Sequence, residues 1–171
     1  INGPKDGAFV FVEDYPKTTG ALSVSCWVMA ESRPRGATIA TNESPTRDGQ
    51  FRLGLRRNNK GGLQVKILHS GGDKTDASDP TPFPLGEWQH VAFTADGETL
   101  RLFRNGLEVD STSCGPIAPA DFSALVLGAR CESIRPSASQ FWHGRIDEFA
   151  LFNRALTESE ILTLFESASR P

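Results

Sequence analysis

Sulfur and imidazole are scarce in this sequence: three cysteines, one methionine and three histidines in 171 residues. Three cysteines are too few for a disulfide scaffold, and none stands in the CxxC spacing of a zinc site. Neither sign of charge dominates. Eighteen Lys and Arg against 21 Asp and Glu leave a net charge of −3, which excludes a nucleic-acid binder working by bulk positive charge. No apolar run approaches the roughly 18 residues of a membrane-spanning helix, so this domain is not expected to insert into a membrane. Internal repeats, low-complexity stretches and breaks in composition are all missing. No signal peptide opens the sequence at Ile1, and the start reads as the edge of a piece of something longer. Residues 1–171 are therefore expected to form one domain of a larger protein.

What is present is period-two alternation of apolar and polar residues. It predicts strands at Ala8–Glu13, Leu22–Met29, Thr38–Thr41, Gln50–Arg57, Leu63–His69, Gln89–Thr94, Leu100–Arg104, Leu107–Ser111, Ala124–Gly128 and Phe141–Phe152. Turn chemistry separates them. Asn58-Asn59-Lys60-Gly61-Gly62, Asp96-Gly97 and Asn105-Gly106 all tolerate positive φ, and the last is a two-residue hairpin signal. Pro80, Pro82 and Pro84 crowd one connection that cannot be a central strand. A single helix comes last. Thr157 and Glu160 form a capping box, Leu156 and Ile161 a hydrophobic staple, and Ile161, Leu162, Leu164 and Phe165 one apolar stripe. Short strands with turns between them and one terminal helix predict an all-β fold: a two-sheet antiparallel sandwich with a short C-terminal helix.

Cys26 lies on the apolar face of Leu22-Ser23-Val24-Ser25-Cys26-Trp27-Val28 and reads as a small buried hydrophobe. Cys114 and Cys131 follow two strand-like runs, 17 residues apart. If those strands are neighbours, a Cys114–Cys131 disulfide closes a loop worth about 3 kcal/mol and places the domain outside the reducing cytosol.

Two longer motifs resemble a known family. Gly86-Glu87-Trp88-Gln89-His90-Val91-Ala92-Phe93-Thr94 runs through Asp96-Gly97 into Leu100-Arg101-Leu102-Phe103-Arg104-Asn105-Gly106. It resembles the central strands of laminin G-like domains, in the concanavalin A-like lectin/glucanase superfamily. Gly144-Arg145-Ile146-Asp147-Glu148-Phe149-Ala150-Leu151-Phe152-Asn153-Arg154-Ala155-Leu156-Thr157 is similar to that family's closing strand and helix cap. The resemblance spans Phe9 to Phe165 and implies a jelly-roll sandwich of two curved antiparallel sheets. Strict alternation in the closing segment puts Ile146, Glu148 and Ala150 on one face and Asp147, Phe149 and Leu151 on the other.

Catalytic relatives in the superfamily cleave polysaccharides with carboxylates on one concave strand face. Their Glu-x-Asp-x-x-Glu pattern is absent. Glu108 and Asp110 have the i, i+2 spacing but follow a hairpin turn directly and read as its solvated face. No serine sits in a Gly-x-Ser-x-Gly elbow, and His69, His90 and His143 read as structural. The expectation is that the domain is not an enzyme.

The resemblance implies calcium as the one cofactor, at either of two sites. Pentraxins share the sandwich and bind calcium on one sheet face. Asp48 in Thr46-Arg47-Asp48-Gly49-Gln50-Phe51, Glu132 after Val126–Cys131, and Gln140 match their ligand positions. Gly49 and Arg130 depart from the pattern, removing two oxygens and adding a cation. The second site follows laminin G-like domains with calcium near the chain ends: Asp147 with Asn2 or Asp6, on the premise that first and last strands are neighbours.

For ligand binding the long polar loops carry Arg33, Arg35, Arg47, Arg130 and Arg135, which suit a carboxylate- or sulfate-bearing polymer. Trp142 is the candidate platform for stacking a sugar, while alternation leaves the facing of Trp27 open. The function expected is a non-catalytic recognition module binding glycan or an extracellular protein. It would be an accessory domain of a larger secreted or envelope-anchored protein, extracellular or periplasmic. The alternatives are a glycoside hydrolase-type domain of the same fold and a ligand-free spacer.

Overall fold

The structure, a computed structural model, describes residues 7–43, 50–58, 61–120, 124–131 and 138–167. Along them run β1 (Val10–Val12), β2 (Leu22–Ala30), β3 (Thr38–Thr41), β4 (Phe51–Leu55), β5 (Leu63–Leu68), β6 (Lys74–Ser78) and β7 (Trp88–Ala95). Then come β8 (Thr99–Arg104), β9 (Leu107–Ser113), β10 (Leu125–Leu127), β11 (Arg130–Cys131), β12 (Ala138–Ser139), β13 (Gly144–Phe152) and α1 (Glu158–Ser167). A six-stranded sheet has the order β1-β10-β3-β4-β5-β6, and a five-stranded sheet the order β13-β2-β7-β8-β9. The paired strands in both are antiparallel. β6 lies against β9 and joins the two sheets along one side. β1 and β13 hold the opposite edges. The result is the two-layer jelly-roll sandwich that the alternation predicts.

The core is made by every second residue of the facing strands. Phe51, Leu53 and Leu55 of β4 and Leu63, Val65 and Ile67 of β5 face Val24, Cys26 and Val28 of β2, Val91 and Phe93 of β7 and Leu100 and Leu102 of β8. The Phe51 and Phe93 rings meet across the layers with centroids 5.2 Å apart. Each large side chain withdrawn from water here contributes about 1.5–3 kcal/mol.

α1 begins as its capping box predicts. Thr157 N donates to Glu160 Oε2 at 2.8 Å and Glu160 N to Thr157 Oγ1 at 3.3 Å. Arg154 grips the same carboxylate through both terminal nitrogens, at 2.9 and 2.6 Å. Ser23 of β2 anchors the approach, donating to Arg154 O and accepting from Leu156 N, both at 2.9 Å. The helix then lies on the outer face of the five-stranded sheet. Leu156 and Ile161 pack on Ala92 and Phe103, and Phe165 stacks on Trp27 at 5.8 Å. Gly106 leaves room for this: a Cβ there would meet Leu162 at 2.9 Å and Phe165 at 3.1 Å.

Several expectations are corrected. β6 lies in a stretch the sequence reads as loop. Strict alternation fails in β13, where a bulge shifts the register between Asp147 and Ala150 and Glu148 takes φ 48°. Ile146, Phe149 and Leu151 consequently all reach the core side. The Cys114–Cys131 disulfide is not formed, because its premise fails. Cys114 follows β9 at the far edge of the five-stranded sheet, whereas Cys131 sits in β11, paired only with β12, and packs in a separate apolar cluster. β1 and β13 belong to different sheets, each at the edge away from the β6–β9 side.

Candidate binding face

Among the described residues, one broad sheet face lacks a helical cover. The outer face of the six-stranded sheet is apolar at the β1–β10 end, where Phe9, Val126, Ala129, Cys131, Ala138 and Phe141 cluster. Toward β6 it becomes polar. Register aligns Val126 with Thr41, Thr41 with Arg52, Arg52 with Lys66 and Lys66 with Asp76, one row across five strands. The alternation that buries Phe51, Leu53, Val65 and Ile67 turns Arg52 and Lys66 outward between them.

Glu43 anchors the charge at one end of this row. Its side chain is 6% exposed, with Lys74 Nζ at 2.5 Å and Arg130 Nη2 at 3.9 Å from Oε1. Burial opposes ionisation of the carboxyl. The Lys74 hydrogen bond and the charges of Lys74, Arg130 and Arg52 outweigh it and hold the pKa below its ordinary value. Arg52 is half-buried, and burial together with the charges of Arg130 and Arg57 pulls its pKa down, opposed by Glu43. A polar lattice fixes the backbone beneath. Asn42 Oδ1 accepts from Gln50 N and Phe51 N, both at 2.9 Å, Asn42 Nδ2 donates to Tyr15 Oη at 3.0 Å, and Gln50 Oε1 accepts from Thr18 Oγ1 at 2.7 Å.

Of the residues singled out in the sequence, Gln140 reaches this face. Its backbone sits at φ 51°, its carbonyl accepts from Thr38 N at 2.8 Å, and its Oε1 accepts from Arg52 Nη1 at 3.3 Å. Asp48 and Glu132 lie outside the described residues. A guanidinium bonded to the Gln140 oxygen opposes a calcium ion at that atom, so the described part of the pentraxin-like set does not fit the metal. Asp147 is exposed and accepts from the Glu148 amide in the bulge at 2.8 Å; Asn2 and Asp6 lie outside the described residues. Among the described residues no three His, Cys, Asp or Glu side chains converge as a metal site.

Trp142 is not an open platform. It is 4% exposed, packs edge-on against Phe83 at 5.9 Å and donates from Nε1 to Arg145 O at 3.3 Å. Of the loop arginines, Arg33 donates to Phe83 O, Arg35 to Arg57 O, and Arg130 belongs to the Glu43 cluster. Arg47 and Arg135 lie outside the described residues. Glu108 and Asp110 are separated by a bulge that pairs Glu108 with Phe103 and Asp110 with Leu102. Phe103 and Leu102 point to opposite sides of the sheet, so the two acids do not face one substrate. Asp110 caps Ser78 N at 2.7 Å. The sequence reading passed over Arg52, Lys66 and Glu43. The signal for the first two was the cation between two buried apolar residues in each of β4 and β5.

Comparison with known proteins agrees with this architecture. Mouse (Mus musculus) pappalysin-1 is 33% identical over 85 residues, 48% of this chain but only 5% of pappalysin-1. The native heptameric SAP-like pentraxin of Limulus polyphemus superposes with a TM-score of 0.71 at 19% identity, covering 95% of this chain and 83% of the pentraxin. Domain 4 of an extracellular arabinanase from Geobacillus stearothermophilus, solved in complex with arabinotriose, gives 0.67 at 24% identity, covering 87% and 69%. Residues 4–162 match the Laminin_G_3 family. With that match and this two-sheet sandwich, the chain belongs to the concanavalin A-like lectin/glucanases superfamily.

Proposed function

We propose that this chain is a non-catalytic glycan-recognition domain that binds on the outer face of the six-stranded sheet. It acts as one part of a longer protein working outside the cytoplasm. The observation that carries the reading is the asymmetry of the sandwich. α1 covers the outer face of the five-stranded sheet, while on the opposite layer, among the described residues, Arg52 and Lys66 are partly exposed and Asp76 is exposed, on paired strands. Hydroxyl-rich ligands are held by such fixed donors and acceptors. The separation of Glu108 and Asp110 supports binding without catalysis, since glycoside hydrolysis needs two carboxylates flanking one bond. The arabinotriose complex of the arabinanase domain supports a glycan as ligand and an extracellular setting. No helix among the described residues is long and apolar enough to cross a membrane.

A glycan array followed by hydrogen-exchange footprinting with the best ligand tests this. Protection concentrated in residues 51–78 is expected. Protection over α1 and β8 instead, or no glycan retained on the array, would overturn the proposal; capture of a protein partner in the latter case would favour protein recognition.

A further inference from the structure

We infer that the polar row is an anion site: a carboxylate or sulfate group of the ligand seats directly on the Arg52 guanidinium, flanked by Lys66 and Arg130, with no metal ion between them. This rests on the reading that glycan binds the six-stranded sheet, and it names the chemical class of that glycan.

Charge is the first argument. Among the described residues the face gathers Arg52, Arg57, Lys66, Lys74 and Arg130 against Glu43 and Asp76. Among the described residues that is five cations against two carboxylates, on a chain whose net charge is −3. The second argument is where the carboxylates are committed. Glu43 is buried against Lys74 and Arg130, and Asp76 accepts from Gln64 Nε2 at 2.7 Å. Among the described residues Arg52 makes one hydrogen bond, to Gln140 at 3.3 Å, whereas a guanidinium carries five donors in a planar fork. That fork matches two oxygens of a carboxylate or sulfate, where a sugar hydroxyl offers one.

Placement is the third argument. Arg52 and Lys66 are register partners on adjacent central strands, so the sheet fixes their separation before any ligand arrives. Like charges crowded on one face repel each other, and an anion between them relieves that repulsion. A bridging calcium would add to it.

The test is an array of sialylated, uronate-containing and sulfated oligosaccharides beside their neutral counterparts, read with and without EDTA. Titrations of Arg52→Gln, Lys66→Gln and Arg145→Gln follow at two salt concentrations. Acidic glycans are expected to bind and neutral ones not, with EDTA without effect and affinity falling as salt rises. Arg52→Gln and Lys66→Gln should each weaken binding tenfold or more. Arg145→Gln, which removes the same charge from exposed β13, should change it less than twofold. Preference within the acidic set identifies whether carboxylate or sulfate is the group bound. A melting curve checks that Arg52→Gln folds; if it does not, Lys66→Gln decides. Equal binding of neutral glycans with Arg52→Gln unchanged would overturn the anion site and leave the glycan reading standing. Loss of binding in EDTA would overturn direct seating, and no binding to any glycan would overturn both readings.

Discussion

At the scale of single residues, His90 is a titratable group held deep in the fold. Its ring is buried between Trp27 and Phe165, with centroids 5.5 and 5.9 Å away. Nε2 lies 2.8 Å from Ser25 Oγ, and Nδ1 is buried with no hydrogen-bond partner among the described residues. A Ser–His pair of this kind invites a catalytic reading, but α1 roofs it, and burial pushes the imidazole pKa from 6.5 down to about 4. Between those two values the unfolded chain takes up a proton that the folded chain refuses. Stability from this group is therefore complete above about pH 6.5 and falls as pH drops toward 4. The loss is on the order of 3 kcal/mol. Urea titrations at pH 7 and pH 4 should show it in the parent chain, and His90→Gln should remove that share of the pH dependence. Equal pH dependence in the two proteins would show that His90 is not buried as a neutral ring.

At the scale of elements, the joint between β13 and β2 is the tightest fit in the fold. Gly144 opens β13 opposite Ala30 at φ +146°, and a Cβ there would fall 1.8 Å from Met29 O. That contact is with backbone in a paired strand, so no side-chain rotation relieves it. Gly144→Ala should cost about 3 kcal/mol or more, read as a lowered urea midpoint; a change under about 0.5 kcal/mol would mean that β13 is not held in this register. How legible each element was follows from similar local causes. The start of α1 could be read because Thr157, Glu160, Leu156 and Ile161 act within a few residues of one another. β6 could not, since Lys74-Thr75-Asp76-Ala77-Ser78 is an edge strand with one buried side chain and gives no apolar alternation. The β13 bulge was invisible because it depends on Glu148 adopting positive φ, which glycine or asparagine usually signals. For the candidate site, alternation marks Arg52 and Lys66 as outward-facing. Only the tertiary register makes them neighbours, and only long-range packing brings Glu43, Arg130 and Gln140 beside them.

At the scale of the whole molecule, the question is what holds two sheets together when the three cysteines form no disulfide. A domain of about 150 residues buries roughly two-thirds of the surface its unfolded chain exposes, and here one apolar core runs continuously from β2 to β8 between the layers. Such a core needs no cross-link, and Cys26, Cys114 and Cys131 are all free. Burial drives the Cys26 thiol pKa strongly upward, which makes it inert in the folded chain. Alkylation in denaturant without reductant should therefore add three labels by intact mass, while the native chain should spare Cys26. The melting midpoint should be the same with reductant, with EDTA and with added calcium, because a ligand held only by the folded state would raise it. A single label in denaturant would reveal a disulfide between two of the three thiols. A midpoint lowered by EDTA would mean that a metal ion, rather than the apolar interior alone, ties the layers together.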